Sequence, residues 1–169
     1  MEKESLRHPF HAIYAPDSRI LILGSFPSVK SREQRFFYGH PQNRFWRVLA
    51  ALLDTDVPQS VEEKRAFLLA HRIALWDVIA SCEITGSSDA SIRNAVPNDL
   101  TPILETASIR QIFTNGGTAH RLYRKYIFPL TGREDIVLPS TSPANAARSL
   151  DALIDAWQTV REVLDEEAE

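Results

Sequence analysis

The sequence predicts an α/β fold, a three-layer αβα sandwich around a short, mainly parallel four-stranded sheet. Three observations predict it. Four short runs rich in Ile, Val and Leu (residues 19–23, 73–79, 111–114 and 135–138) lack strict polar alternation, as strands buried on both faces of a parallel sheet do. Segments with helical spacing separate the runs, and strands alternating with helices imply βαβ units with helices on both faces. Two of the runs end in loops of small, polar and proline residues, Gly24-Ser25-Phe26-Pro27-Ser28 and Leu138-Pro139-Ser140-Thr141-Ser142-Pro143-Ala144-Asn145. In open α/β sheets the ligand site lies outside the carboxyl ends of the strands. These two loops, about 115 residues apart in sequence, are placed to form two sides of one cleft.

The helices follow in order. Residues 44–53 put Phe45, Val48, Leu49 and Leu52 on one face. Residues 61–70 follow the start signal Pro58-Gln59-Ser60. Residues 99–107 and 118–127 separate the later strands. A last helix is expected from about 146 to 164, with Ala146, Leu150, Leu153, Trp157, Val160 and Leu164 spaced three and four apart. That face must bury, with Trp157 in the core; Trp46 reads as core as well. Residues 80–97 form the longest irregular stretch, a surface loop around Gly86-Ser87-Ser88-Asp89, and loops of that length are often functional. There is no repeat, low-complexity tract or linker, so residues 1–169 are expected to be a single domain.

Composition narrows the function classes. Hydrophobic residues make up 44% and charged residues 24% of the chain, ordinary for a soluble globular protein. No stretch approaches the length of a membrane span. The first ten residues mix charge signs and lack the apolar core of a signal peptide, which points to the cytoplasm. The single cysteine, Cys82, excludes an internal disulfide, a cysteine-ligated iron–sulfur cluster and a multi-cysteine zinc site. The five histidines are scattered, so no metal and no cofactor is expected. No Walker or Gly-x-Gly-x-x-Gly segment exists, against a nucleotide-binding protein. The net charge is −3, but residues 151–169 hold seven acids and one arginine, and the rest of the chain nets +3. Lys30, Arg32, Arg35, Arg44 and Arg47 stand against Glu33 alone in residues 30–47. That excess suits phosphates; the other reading is a solvated helix surface.

Between the two loops stands Tyr38-Gly39-His40-Pro41-Gln42-Asn43-Arg44-Phe45-Trp46. These three segments, in this order, resemble the uracil-DNA glycosylase superfamily, and within it the hypoxanthine-DNA glycosylase (DNA-deoxyinosine glycosylase) branch. The His-Pro-x-Asn-Arg-Phe-Trp portion is also similar to mismatch-specific uracil/thymine glycosylases. The resemblance implies the same short, mainly parallel sheet between helices. It also implies hydrolysis of the N-glycosidic bond of a deaminated base in DNA, most readily hypoxanthine. The base must first leave the stack for a pocket. It implies a monomer whose partner is DNA, with no metal, no cofactor and no membrane. A uracil or xanthine glycosylase, or a non-catalytic DNA-binding module on this fold, are the alternatives.

The resemblance assigns roles residue by residue. Many members carry Asp or Asn, which positions or activates water, where this chain has Phe26, and the uracil-specific enzymes carry a catalytic His where it has Ser140. In the hypoxanthine branch the catalytic role falls to an Asn that Asn43 matches. A neutral amide is a poor base but can hydrogen-bond water or the departing base; capping the helix at 44–53 is a second role that can coexist. His40 is a candidate proton donor to the base, beside Pro41, which shapes the loop. Gly24, Ser25, Phe26, Tyr38 and Asn115 are implied to bind the base. Tyr38 stacks on it, with Phe36 and Phe37 as competitors, and Asn115 faces its edge beside Gly116-Gly117, or else makes an Asn-Gly turn. Ser28, Lys30, Arg44, Ser140, Ser142, Pro143, Ala144 and Asn145 are implied to contact DNA. Ala144 and Asn145 stand where other members wedge a side chain into the duplex; capping the last helix is the alternative for Asn145. Asp77, beside Trp76, is the carboxylate nearest the cleft in its segment, a second catalytic candidate or an orienting residue.

Binding to DNA is expected to weaken steeply with salt despite the acidic pI, because residues 30–47 replace counterions on phosphates. A titration of affinity against ionic strength checks this; a flat slope removes that surface as the DNA face.

Overall fold

The apolar runs pair as one parallel sheet whose strand ends share an edge. The computed structural model describes residues 3–86 and 88–166. In chain order the elements are β1 (Lys3–Arg7), β2 (Ile20–Gly24), α1 (Val29–Gln34), α2 (Phe45–Leu52), α3 (Val61–Ala70), β3 (Ile73–Asp77), β4 (Ile79–Thr85), β5 (Arg93–Pro97), α4 (Thr101–Thr106), β6 (Gln111–Asn115), α5 (Gly117–Tyr126), α6 (Phe128–Thr131), β7 (Asp135–Leu138), α7 (Leu150–Ala156) and α8 (Gln158–Asp165). The four-stranded sheet runs β3-β2-β6-β7, and every pairing in it is parallel. Gly24 lies opposite Asp77, and Asn115 opposite Leu138. The last residues of all four strands therefore line up along one edge.

Strand β2 shows why the sheet is buried on both faces. Successive side chains point to opposite faces of a strand. Ile20 and Ile22 join a core with Phe45 and Leu49 of α2, Leu153 of α7 and Val160 of α8. Leu21 and Leu23 join a second core with Ile103 of α4 and Leu122 and Tyr123 of α5. Helices cover both faces, as the lack of alternation predicts. Helix α3 starts where its signal placed it: the Ser60 hydroxyl accepts the Glu63 N–H, with Glu62 and Glu63 in the first turn, a favourable arrangement at the positive helix end. Among the described residues no helix is long and apolar enough to cross a membrane.

Two expectations need correction. Residues 80–97 are not a surface loop. After the single residue Val78, the chain enters β4 and then β5, which with β1 form an antiparallel sheet of order β1-β4-β5. Cys82 and Ile84 of β4 bury into the second core, while β1 holds one apolar residue, Leu6, and owes its place to pairing with β4. The Gly, Ser and Asp residues that read as a loop make only the turn between β4 and β5; Ser87 of that turn lies outside the described residues, as do the last three residues of the acidic tail. The last helix is also not continuous from 146. The Ser149 hydroxyl caps α7 by accepting the Ala152 N–H, so Asn145 does not cap it. The chain then breaks at Trp157 and resumes as α8.

The break has a visible partner. Trp157 is fully buried, against the edge of Phe45, and its Nε1–H donates to the carbonyl of Pro139 at 2.9 Å. This bond ties the C-terminal helices to the base of the loop at 139–145. Trp157→Ala is expected to cost about 3–5 kcal/mol, and Trp157→Phe less, through the unpaired Pro139 carbonyl. Urea denaturation of both variants at unchanged slope checks the order.

Candidate active site

The strand ends open into a cleft of 290 Å³, at the small end of pockets that hold single organic ligands. Gly24, Asp77 and Asn115 reach it from β2, β3 and β6. The loop after β2 adds Ser25, Phe26 and Ser28, the segment before α2 adds Tyr38, His40 and Asn43, and the loop after β7 adds Ser140, Ser142, Pro143 and Ala144. The three motifs read from the sequence thus share one cavity. Of the predicted site residues, Lys30, Arg44 and Asn145 are not among its lining.

Hydrogen-bond directions in the cleft are fixed by backbone donors. The N–H of Thr141 donates to Asn115 Oδ1 at 3.1 Å, which fixes the Asn115 amide. Asn115 Nδ2 then donates to Thr141 Oγ1 at 3.0 Å. The Thr141 hydroxyl passes its own hydrogen to Asn43 Oδ1 at 2.8 Å. The N–H of Phe45, the first residue of α2, donates to the same Asn43 oxygen at 3.0 Å. Asn43 Oδ1 therefore has both lone pairs filled, and its cap-like bond and its place in the cleft coexist. Among the described residues no hydrogen bond engages Asn43 Nδ2, so Asn43 offers the cleft a donor rather than an acceptor. Asn115 spends its oxygen and one amide hydrogen on Thr141 and keeps one amide hydrogen. Thr141 is fully buried. It was missed as a site residue although it stands inside the motif at 138–145, because a threonine between two serines carries no sign of which one turns inward.

The remaining residues divide by what they touch. Tyr38 has φ of +51°, uncommon for a residue with a side chain, and its ring stacks on Phe45 with centroids 4.0 Å apart. Phe37 lines the cleft, whereas Phe36 is core, stacked on Trp46. His40 is half-buried, and its Nδ1 accepts the Gln42 N–H. Ser28 caps α1, and Ser31 behind it accepts the Gly39 N–H at 2.9 Å, joining the first and second motifs. The Ser140 hydroxyl accepts from Ser142 N–H, and the Ser142 hydroxyl from Ala144 N–H, so these serines brace their own loop. Asn145 Nδ2 donates to the Ser140 carbonyl. Arg44 donates to the carbonyls of Asn145 and Arg148 and so clamps that loop from the second motif. Lys30 is exposed, 3.5 Å from Glu33. Gly116 has φ of +100°, and a Cβ there would lie 3.1 Å from Ser140 Cβ, so glycine lets β6 and the last loop approach.

One partner of the cleft carries no signal in the sequence. His8 Nε2 stands 2.7 Å from Asp77 Oδ2, with side chains 3% and 5% exposed. Sixty-nine positions separate the two residues, and nothing in the N-terminal segment marks His8. The ring lies among Phe10, Phe26, Phe37 and Trp76. Among the described residues no group of three or more His, Cys, Asp or Glu is placed to hold a metal ion.

Comparison with known proteins gives one consistent family. The family model described as uracil DNA glycosylase superfamily matches residues 11–161. A hypoxanthine DNA glycosylase of Methanosarcina acetivorans is 35% identical over 142 residues, 83% of this chain and 89% of that protein. A hypoxanthine DNA glycosylase of Methanosarcina barkeri is 31% identical over 150 residues, 88% of this chain and 93% of that protein. The solution NMR structure of a candidate uracil DNA glycosylase from Methanosarcina acetivorans superposes with a TM-score of 0.79 at 33% identity, covering 93% of this chain and 97% of that one.

The donor character of Asn43 has a direct check. Asn43→Asp keeps an acceptor for the Phe45 N–H and the Thr141 hydroxyl but removes the amide donors. A residue that served water as an acceptor would lose nothing. The expected outcome is a fall of about 100-fold or more in single-turnover rate with little change in melting temperature; an undiminished rate assigns Asn43 to the water instead.

Proposed function

The chain belongs to the uracil DNA glycosylase superfamily, and we propose that it removes hypoxanthine from deoxyinosine in DNA, as a monofunctional glycosylase of base excision repair. The observation that carries this reading is the hydrogen-bond chain Asn115–Thr141–Asn43, which presents an oriented amide donor in a base-sized cleft. The names of the Methanosarcina relatives support hypoxanthine as the base. We take residues 1–169 as one domain that acts as a monomer in the cytoplasm, without metal or cofactor.

In the reaction, the C1′–N9 bond breaks, the oxygen of water bonds to C1′, and the proton of that water ends on the base. A departing purine carries its electron pair into the ring and onto O6. A fixed donor aimed where charge develops lowers the barrier without reorganising at the moment of reaction. Asn43 Nδ2 is that donor in this proposal. Tyr38, already stacked on Phe45, is the platform for the flipped base, since base–aromatic stacking contributes roughly 1–3 kcal/mol. The half-buried His40 is the proton donor in reach of the mouth. The loop at 140–145, braced by its own serines, contacts the DNA backbone, with exposed Ala144 at its tip. Lys30, Arg35 and Arg47, which are exposed and not bound to the loop carbonyls as Arg44 is, meet phosphates.

Duplexes carrying one deoxyinosine, deoxyuridine or deoxyxanthosine test the reading. Release of hypoxanthine in EDTA, strand scission only after alkali, and no protein–DNA adduct on borohydride trapping are expected, since Lys30 has no feature of an activated amine. Release of another base in preference reassigns the substrate; binding without release leaves a non-catalytic module.

A further inference from the structure

We propose that Asp77, held by His8, reads the far edge of the flipped base and selects a lactam over the amidine from which deamination made it. The inference rests on the hypoxanthine reading above and names the group that gives it specificity. His8 lies before the residues matched by the family model.

The geometry begins with the imidazole. The Phe10 N–H donates to His8 Nδ1 at 3.4 Å, so Nδ1 carries a lone pair and Nε2 the proton. Asp77 Oδ2 accepts that proton at 2.7 Å. The Asn98 side chain secures the Asp77 backbone by donating to its carbonyl at 2.8 Å. Among the described residues no hydrogen bond engages Asp77 Oδ1. That oxygen lies over Gly24, where a Cβ would come within 2.5 Å of it. One carboxylate oxygen is thus anchored, and the other is an acceptor in the cleft.

Depth decides what that acceptor meets. Asp77 is buried at the strand ends, Phe26 and Phe37 are buried beside it, and Ala144 on the last loop is exposed. A flipped base stays attached to its sugar, so its glycosidic nitrogen remains toward the mouth and its far edge goes in first. In a purine that edge is N1 and C6, the atoms deamination changes. Adenine presents a lone pair at N1 and an amine at C6. Hypoxanthine presents N1–H and C6=O. A carboxylate accepts N1–H in a charge-assisted bond, but faces the N1 lone pair of adenine with nothing to accept, and a buried acceptor left unpaired is costly. The Asn43 donor complements C6=O in the same sense. Guanine shares this edge, but it is held in a matched pair, whereas a deaminated base is cheaper to extrude.

Single-turnover release of hypoxanthine and of 1-methylhypoxanthine, which lacks N1–H, tests this on the wild-type protein and on Asp77→Asn. In that variant His8 Nε2–H holds the amide oxygen and turns the amide nitrogen, a donor, toward the cleft. The wild type is expected to release hypoxanthine about 100-fold or more faster than 1-methylhypoxanthine. In the variant, hypoxanthine release is expected to fall by a similar factor, with the ratio between the two bases shrinking toward one. Equal losses on both bases, or an unchanged variant, overturn the inference. So does a wild type that treats the two bases alike, a comparison that stands even if the variant does not fold. A wild type that releases no hypoxanthine overturns the function reading itself, and this inference with it.

Discussion

The hydrogen bond from Thr141 to Asn43 is the contact on which the cleft depends. It joins a loop after the last strand to the residue two positions before α2, across 98 positions of sequence. Around it the Arg44 N–H donates to the Thr141 carbonyl at 3.1 Å, and Asn115 closes the other side. Because two of these donors are backbone N–H groups, no side chain in the chain can flip without leaving a buried polar group unpaired, and such groups cost about 1–3 kcal/mol each. The orientation of Asn43 is thereby set before any ligand arrives. An amide held this way acts as a preorganised dipole, the kind of group that contributes most in a site closed to water.

That contact works only because the sheet delivers its parts to one edge. Parallel strands in near-equal register end together, and here Gly24, Asp77 and Asn115 are the terminal residues of three neighbours. The two cores on either face fix the strands. Arg44 from the front and Trp157 from the back fix the loop after β7. Rigid elements hold site residues more closely than free loops do, and this loop is bound to rigid elements at both ends.

The four strands of the main sheet were legible because burial on both faces removes polar alternation, and each run reads as continuous apolar sequence. Strands β1 and β5 were not legible. Lys3–Arg7 and Arg93–Pro97 are mostly exposed edges of a small sheet, and their structure comes from pairing, which leaves no periodic pattern. The cavity drew in Gly24, Phe26, Tyr38, Asn43 and Asn115 as the motifs implied, because residues at strand ends and helix starts announce themselves by type. The loop-bracing part of Arg44 and Asn145 is not legible. The resemblance implies contacts with DNA for both, and each also spends hydrogen bonds on backbone carbonyls within or beside the loop at 139–148. A cation or an amide in a motif looks the same in sequence whether it faces a phosphate or a carbonyl. His8 was invisible for a simpler reason: its partner stands 69 positions away at the end of β3, and no local pattern encodes that distance.

Phe26 gives the arrangement its internal logic. It stands where many members of the superfamily carry Asp or Asn, and its ring lies 5.9 Å from that of His8, edge to face. On another side the Arg32 guanidinium sits 5.9 Å from its centroid. An acid at 26 would place a second carboxylate in the cleft that Asp77 occupies, and two like charges at close range disfavour each other's ionised form. A phenyl ring instead packs edge to face against His8, the residue that anchors Asp77. A phenyl ring at 26 and a carboxylate at the end of β3 are therefore compatible where two acids would not be. In the proposed mechanism the first-motif group handles no water, the strand-end carboxylate faces the base, and the departing base is stabilised by an amide whose direction the backbone has already fixed.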